Sequence, residues 1–337
     1  MALTNHSLRI LVTGATGAVG PPVVASLVEA GYGIRTLSRN PPPPGLWTAN
    51  IETQTGDIKD YSVVQEAMRG IDAVIHLAAL LRIVNHRSDL QPEYERVNVG
   101  GTANVVEAAR RAGVGRVVFF STIAVYGGSA GEILTEDSPP RPDSLYAQTK
   151  LAAERIVLAA KRVDGRPLGT VLRLGAVYGA RIKGDYQRLL LALARGRFAP
   201  IGPGTNRRTL VYEGDVARGT LLALRHPDAA GQIFNVTDGQ VHTMKDIIQA
   251  LCSALGRREP RLALPVGPVR SLTGVLEDCA RSCGFQSPIT RAMVDKYTED
   301  AAVDGQRFCR QMGFFPQYDL TAGWRETVAR MREAGDL

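Results

Sequence analysis

The chain has 337 residues, of which 45% are hydrophobic and 22% are charged, and this composition is ordinary for a soluble globular protein with a large core. Its formal net charge is +7, but the basic residues lie in pairs such as Arg110-Arg111 and Arg257-Arg258, which disfavours a nucleic-acid partner and favours a positive cleft for an anionic small molecule. The N-terminus has no basic stretch followed by an apolar one, and no apolar run could span a membrane, so we expect a cytoplasmic protein without a membrane partner.

The first predicted element is a buried strand over 8–13, followed by a glycine-rich turn and a helix from Val23 onward. Gly14 permits a tight bend, Gly17 lets the backbone approach a pyrophosphate, and Gly20 allows the helix to pack closely on the strand. This context predicts a dinucleotide site, and the alternative is a glycine-rich turn without a ligand. The predicted cofactor contacts of the turn are Gly14, Gly17, Ala18, Val19 and Gly20.

Apolar strand patterns and helical patterns then alternate along the chain. The predicted strands are 33–38, 51–55, 73–77, 117–121 and 170–174, and the predicted helices are 61–69, 94–112 and 144–163. Alternation of this kind predicts an α/β fold, a Rossmann-type doubly wound parallel sheet with helices on both faces.

The last part of the chain is richer in glycine and proline, and the strand–helix alternation loosens from about Tyr178. We therefore expect an NAD(P)-binding domain over 1–177 and a smaller C-terminal α/β substrate-binding lobe over 178–337, with interleaving of the two allowed. Four cysteines without a C-x-x-C pair predict reduced thiols and no metal site.

Tyr146 and Lys150 are four residues apart in a predicted helix, so they share one face. An ammonium close to the phenol would favour the ionised form of a tyrosine whose ordinary pKa, about 10, makes it a poor base at neutral pH. After a glycine-rich dinucleotide turn, this pair indicates hydride chemistry on a nicotinamide cofactor. The alternative is a surface pair without function.

Several motifs now occur together in one order along the chain. They are Gly14-x-x-Gly17-x-x-Gly20, Asp57 after Thr55-Gly56, His76-Leu77-Ala78-Ala79, Asn98, the run from Ser121 to Gly127, and Tyr146-x-x-x-Lys150. In this order and spacing the chain resembles the extended short-chain dehydrogenase/reductase family, in particular its nucleotide-sugar epimerases, dehydratases and reductases. The segments 206–217 and 234–239 also resemble the C-terminal lobe of that family.

The resemblance implies roles for these residues. Tyr146 would exchange a proton with a substrate hydroxyl, Lys150 would tune its pKa and hold the ribose hydroxyls, and Thr122 would hydrogen-bond the reacting oxygen. It also implies a homodimer formed through the helices near 94–112 and 144–163. The remaining implied cofactor contacts are Asp57 and Ile58 near the adenine, Leu77, Ala78 and Ala79 in the cleft, and Asn98, whose alternative role is to bridge two backbone segments.

Three positions depart from the family pattern and bear on the reaction. Ser38-Arg39 stands where an NAD enzyme usually has an acid, and an arginine attracts a 2′-phosphate. We therefore expect NAD or NADP as the cofactor, with a modest preference for NADP. The alternative is that Arg39 only covers the adenine. Ile123-Ala124 stands where the sugar dehydratases of the family have an acidic pair, and because elimination of water needs an additional acid and base, a dehydratase is not among the leading expectations. Ala176 replaces an asparagine that helps to hold the sugar nucleotide.

Arg208 matches an arginine that reaches substrate phosphates in the family, and its alternative is a salt bridge to Asp215 or Glu213. We therefore expect an NAD(P)-dependent epimerase that acts on a nucleotide-activated sugar at C4 through a transient 4-keto intermediate. One alternative is an NADPH-dependent reductase of a 4-keto sugar or another bulky ketone, and another is a non-catalytic dinucleotide-sensing protein.

Overall fold

The computed structural model describes residues 8–47, 50–81, 90–283, 285, 287 and 290–337 of the chain. Its strands are β1 (Arg9–Thr13), β2 (Gly33–Ser38), β3 (Glu52–Thr55), β4 (Ala73–His76), β5 (Arg116–Thr122), β6 (Gly169–Leu174), β7 (Ala176–Tyr178), β8 (Arg207–Arg208), β9 (Leu210–Tyr212), β10 (Ile233–Val236) and β11 (His242–Thr243). Seven of them form one parallel sheet in the order β3-β2-β1-β4-β5-β6-β10. The inner strands are buried along almost their whole length, as expected for a parallel sheet covered on both faces, and the predicted Rossmann-type α/β fold is confirmed.

The described residues form helices that cover both faces of this sheet and others that lie outside it. They are α1 (Gly20–Glu29), α2 (Tyr61–Ala67), α3 (Gln91–Tyr94), α4 (Gly101–Arg111), α5 (Leu145–Ala159), α6 (Asp185–Ala194), α7 (Glu213–Arg225), α8 (Met244–Leu255), α9 (Val266–Ser282), α10 (Arg291–Thr298), α11 (Gln306–Met312) and α12 (Leu320–Glu333). Apolar side chains of α1 and α7 pack on one face, and those of α2, α4 and α5 pack on the other. The carboxyl ends of the strands therefore open at one edge between two helical layers, where α/β sheets bind ligands.

Two predicted helices differ from the observed ones. The helix predicted over 94–112 is divided, because Glu95–Gly100 is π-helical and joins α3 to α4. The helix predicted over 144–163 ends at Ala159, because the chain then reverses through a tight turn in which Lys161 pairs with Pro167 and Gly165 has a φ of +81°. Glycine tolerates this left-handed conformation, which disfavours continuation of a helix.

Residues after 177 contribute both to the main sheet and to a separate part of the molecule outside it. Strand β10 pairs with β6 and extends the main sheet, whereas β7 pairs with β9 and β8 pairs with β11 outside it. A separate apolar cluster of α6, α8 and α12 surrounds Tyr178, Tyr212 and Trp324. The chain therefore leaves the sheet after β6 and returns to it. Over the described residues, no helix is both long and apolar enough to cross a membrane.

Candidate active site

The glycine-rich turn lies between β1 and α1 at the carboxyl edge of the sheet. Gly14 has a φ of +71°, and a Cβ there would lie 2.6 Å from the backbone nitrogen of Ala78. A Cβ on Gly20 would overlap the carbonyl oxygen of Ala15, so α1 packs directly on the turn. Both positions require glycine, because any side chain would separate the turn from β4 or from α1.

The same turn has backbone groups suited to phosphate. Within residues 8–47, the backbone N–H groups of Ala18 and Val19 donate no hydrogen bond, and Gly17 is exposed. Pro21 and Pro22 occupy the first turn of α1 and have no N–H to offer. A diphosphate at this helix N-terminus would therefore be held by the N–H groups just before the helix, which fits the predicted dinucleotide site.

The predicted adenine end of the site lies at the carboxyl ends of β2 and β3. The Ser38 hydroxyl is buried and has no hydrogen-bond partner among the described residues, and Arg39 next to it is exposed. A buried hydroxyl without a partner suits a ligand oxygen. Asp57 is half-buried and accepts a hydrogen bond of 3.0 Å from the Lys59 backbone, whereas Ile58 is buried.

The predicted cleft residues Leu77, Ala78 and Ala79 are half-buried just after β4. The preceding His76 is fully buried, and its Nδ1 lies 2.6 Å from Thr13 Oγ1 while its Nε2 lies 3.0 Å from Thr102 Oγ1. Because the Thr102 hydroxyl donates to the Asn98 carbonyl, His76 is the donor at Nε2 and the acceptor at Nδ1. Burial and the charge of Lys150 lower the pKa of His76 to about 3, so this ring is a neutral core residue.

Asn98 lies in the π-helical segment and is buried. Its amide oxygen accepts a 2.7 Å hydrogen bond from the Leu80 N–H, and its amide nitrogen donates to the Leu80 carbonyl at 3.2 Å and to Thr149 Oγ1 at 3.0 Å. These contacts use the amide to join the chain after β4 to the helix α5. The geometry is that of the bridging role, and it fixes Leu80 next to the cleft.

The predicted catalytic residues lie on β5 and α5. Thr122 ends β5, and its hydroxyl accepts a 3.1 Å hydrogen bond from the Ala124 N–H, which caps the short 3-10 helix Ile123–Tyr126. The Ser144 hydroxyl caps α5 by accepting from the Ala147 N–H at 3.3 Å, so Tyr146 and Lys150 occupy the first turns of that helix. Lys150 is buried, with its ammonium 4.0 Å from the centre of the Phe119 ring.

Burial sets the direction of both pKa shifts in this pair. Burial, with a smaller effect of Tyr94, raises the pKa of Tyr146 to about 12. Burial also lowers the pKa of Lys150 to about 7, against an opposing effect of Glu154. The cost of burying each charge is the largest influence on both groups, and Lys150 is not among the influences on the Tyr146 pKa, so the expected tuning of the phenol by Lys150 stays a prediction.

A buried charged network adjoins the pair and was not predicted. Glu154 follows Lys150 by one turn and accepts hydrogen bonds from Arg173 Nη2 at 2.6 Å, from Arg173 Nε at 3.0 Å and from the Ser121 hydroxyl. The guanidinium also donates to the Tyr126 hydroxyl at 2.8 Å, which donates to Asn235 Oδ1 at 2.9 Å. The available sequence signal was an arginine inside the apolar strand 170–174, because a buried charge requires a partner.

The predicted substrate residues Ala176 and Arg208 lie outside the main sheet, on β7 and β8. Ala176 is half-buried in β7, and its N–H donates to the Thr209 carbonyl at 2.9 Å. Arg208 Nη2 donates to the carbonyls of Lys296 at 2.5 Å and Tyr297 at 3.1 Å.

The salt bridge offered as the alternative for Arg208 is therefore wrong. Asp215 accepts instead from the N–H groups of Gln317 and Tyr318, at 3.0 and 3.1 Å, and pairs with Arg218. Glu213 accepts from the Ala180 N–H at 3.2 Å. These partners engage both carboxylates near the start of α7 and leave Arg208 to the carbonyls at the end of α10.

Comparison with known proteins gives relatives over nearly the whole chain. A profile described as the NAD dependent epimerase/dehydratase family matches residues 10–237. A 3 beta-hydroxysteroid dehydrogenase/Delta 5-->4-isomerase of Mycobacterium tuberculosis is 30% identical, over 94% of this chain and 88% of that protein. An N-acetyl-alpha-D-glucosaminyl-diphospho-ditrans,octacis-undecaprenol 4-epimerase of Escherichia coli O157:H7 is 28% identical, over 95% of this chain and 94% of that protein.

Among solved structures, MoeE5 in complex with UDP-glucuronic acid and NAD is 28% identical to this chain. The similarity has a TM-score of 0.75 and covers 97% of this chain and 99% of MoeE5. Dinucleotide and sugar nucleotide are thus bound together by a protein of this fold.

Proposed function

Because the chain belongs to the NAD dependent epimerase/dehydratase family, we propose that it catalyses the 4-epimerisation of a nucleotide-activated sugar through a transient 4-keto intermediate. The resemblance to the extended short-chain dehydrogenase/reductase family is confirmed. The observation that carries the proposal is the position of Tyr146 and Lys150 on the first turns of α5, with Thr122 at the end of β5. The bound UDP-glucuronic acid and NAD of MoeE5 and the name of the Escherichia coli 4-epimerase support it.

The cofactor would be held by the glycine-rich turn, Ser38, Asp57 and Lys150. When bound, a nicotinamide dinucleotide takes up hydride from a substrate carbon and returns it. Tyr146 removes the proton of the hydroxyl on that carbon, which leaves a ketone, and it gives the proton back when the carbon is reduced from the other face. Thr122 donates a hydrogen bond to the reacting oxygen and so holds it near the phenol.

Lys150 has two tasks in this reaction. A phenol with a pKa of about 12 is almost entirely protonated at neutral pH, so the base form needs a nearby positive charge. Lys150 supplies that charge only in its protonated form, and Glu154 one turn away favours that form. The ammonium of Lys150 would also donate hydrogen bonds to the oxygens of the ribose hydroxyls.

A reductase of a bulky ketone is the second candidate. The exposed Arg39 beside the partnerless Ser38 hydroxyl suits the 2′-phosphate of NADPH. Ala176 offers no amide to a sugar nucleotide, and the Mycobacterium tuberculosis relative is named for a steroid reaction. The non-catalytic alternative is not retained, because the chain belongs to an enzyme family whose relatives are named for reactions.

The experiment has two stages. The purified protein is denatured, and any released nucleotide is identified and quantified by chromatography with mass spectrometry. The protein is then incubated with UDP-glucose without added cofactor, and the C4 epimer is followed by NMR. Retained NAD with epimerisation supports the proposal, and Tyr146→Phe is the matched inactive control. An empty site with consumption of NADPH by a ketone would move the assignment to the reductase.

The homodimer remains a proposal. The helices α4 and α5 pack against each other and have half-buried apolar side chains, including Leu151, Ile156 and Leu158. Light scattering of the purified chain would test it, and a monomer over the whole concentration range would contradict it.

A further inference from the structure

Exposed large apolar side chains are concentrated in one part of the chain. The described residues contain twelve such side chains, and six of them lie between 262 and 285. They are Leu262 (80% exposed), Leu264 (44%), Leu272 (63%), Val275 (59%), Leu276 (52%) and Phe285 (74%). We call these six residues, three on α9 and three in the segments just before and after it, the α9 face. Clustered exposed apolar groups of this kind mark interaction sites, whereas scattered single ones do not.

The orientation of α9 explains the exposure. Thr273 and Gly274 are buried on its inner side, where a Cβ on Gly274 would overlap the guanidinium of Arg291 at the start of α10. Leu272 and Leu276 are one turn apart and Val275 lies beside them, so they share the opposite side of the helix. The inner side of α9 is thus already used, and the outer side has no apolar partner among the described residues.

The charges around this face have a net positive sign. Residues 257–296 contain seven basic and four acidic side chains. Three of the acids are engaged inside the region, because Asp278 pairs with Arg291, Asp295 lies 2.7 Å from Arg270, and Glu277 accepts the Arg291 N–H at 3.1 Å.

The exposed Arg258 and Arg261, just before Leu262, form no ion pair with any described residue, and with the fourth acid, the exposed Glu259 between them, residues 257–261 still have a net charge of +2. Their guanidinium groups are therefore available to an anionic partner next to exposed leucines.

The helix α10, which packs against α9, contacts Arg208 and the residue before the cap of α5. Arg208 binds the carbonyls of Lys296 and Tyr297 at the end of α10. Lys296 Nζ also lies 3.2 Å from Asp143 Oδ2, one residue before the cap of α5.

We propose that the α9 face docks on an anionic phospholipid bilayer, with its apolar side chains among the acyl chains and Arg258 and Arg261 at the headgroups. Apolar side chains beside arginines are typical of structures that lie in the membrane interface. A second copy of the chain is the competing occupant, and the oligomeric state of Leu272→Glu/Leu276→Glu distinguishes it from a bilayer. The inference does not depend on the reaction at Tyr146, and it departs from the sequence-based expectation of no membrane partner.

The test is co-sedimentation of the full chain with vesicles. One set of vesicles is phosphatidylcholine alone, and the other has equal parts of phosphatidylcholine and phosphatidylglycerol. We expect sedimentation with the anionic vesicles, less with the neutral ones, and a decrease with added salt.

Leu272→Glu/Leu276→Glu should weaken binding at least about tenfold, because two apolar contacts become charged. Val163→Glu is the matched control, since Val163 is 86% exposed outside the α9 face and its substitution should leave binding unchanged. Arg258→Ser/Arg261→Ser should remove most of the preference for anionic vesicles.

Three results would overturn the proposal. The first is that the wild type does not sediment with either kind of vesicle. The second is that Leu272→Glu/Leu276→Glu binds vesicles as well as the wild type does, with an unchanged melting temperature. The third is that this variant loses a dimer that the wild type forms but still binds vesicles. The epimerase assay is run on the same variants, so that a failure of docking and a failure of the proposed reaction are seen separately.

Discussion

Lys150 and Glu154 lie one turn apart on α5, and both are almost completely buried, with 2% and 1% of their surfaces exposed. Glu154 is held by Arg173 on β6 and by Ser121 on β5, so the strand that ends at Thr122 and the helix of Tyr146 meet at one carboxylate. The network therefore fixes the carboxylate whose charge favours the protonated form of Lys150.

The pKa of Lys150 predicts a pH-dependent stability. Its folded pKa is about 7 against an ordinary 10.5, so between these values the unfolded chain binds more protons and stability rises with pH. From pH 6 to pH 9 the wild type should gain about 2 to 3 kcal/mol of unfolding free energy relative to Lys150→Met. Urea unfolding of both proteins at the two pH values measures this difference. A constant difference would mean that Lys150 titrates near its ordinary pKa.

The ion pair between Glu154 and Arg173 predicts a large cost for removing one partner. Glu154→Gln leaves a buried guanidinium without its counter-charge and should destabilise the fold by about 3 to 5 kcal/mol. The double variant Glu154→Gln/Arg173→Gln should recover part of that loss, since no charge remains unpaired. The control is Glu326→Gln, whose partner Arg330 is exposed and whose effect should be within about 0.5 kcal/mol. Equal costs for the single variant and the control would contradict the buried pair.

The proposed base predicts a selective loss of turnover. Tyr146→Phe should lower kcat by about 10² to 10⁴ and leave cofactor retention and melting temperature nearly unchanged, because only the proton carrier is removed. Tyr32→Phe, which loses a surface hydroxyl bonded to Arg225, should keep full activity. Steady-state kinetics with released-nucleotide analysis separates the two effects. Full activity of Tyr146→Phe would remove Tyr146 from the chemistry.

The packing of the glycine-rich turn predicts a steric effect at Gly20. Gly20→Ala should cost about 1 to 3 kcal/mol and weaken cofactor binding, because α1 must move away from Ala15. Gly267→Ala is the control, since a Cβ there has no neighbour within 4 Å. Thermal unfolding and dinucleotide titration provide the measurements. An unchanged stability of Gly20→Ala would show that the turn can relax.

The cofactor preference predicted from Arg39 has a direct test. Arg39→Glu should weaken NADPH binding at least about tenfold and leave NADH binding within a few-fold, since the added acid repels a 2′-phosphate. Fluorescence titration with both dinucleotides measures the ratio. If the wild type already prefers NADH and the substitution does not alter the ratio, Arg39 has no part in the choice.

The sequence predicted the elements that depend on near neighbours in the chain. The strand–turn–helix of Gly14, Gly17 and Gly20 follows from residue types at fixed spacing, and the shared helix of Tyr146 and Lys150 follows from a spacing of four. The alternation of apolar patterns likewise predicted the parallel sheet. Local steric rules and hydrophobic periodicity determine these features, and both are properties of a short window.

Tertiary structure alone decided the features that join distant segments. The partner of Arg208, the return of β10 to the sheet and the pairing of Glu154 with Arg173 join residues far apart in the chain. The pKa values of Tyr146 and Lys150 belong to the same class, because burial by several elements is the largest influence on both. The sequence determined which residue types could act, and packing determined their charge, because desolvation depends on everything that surrounds a group in space.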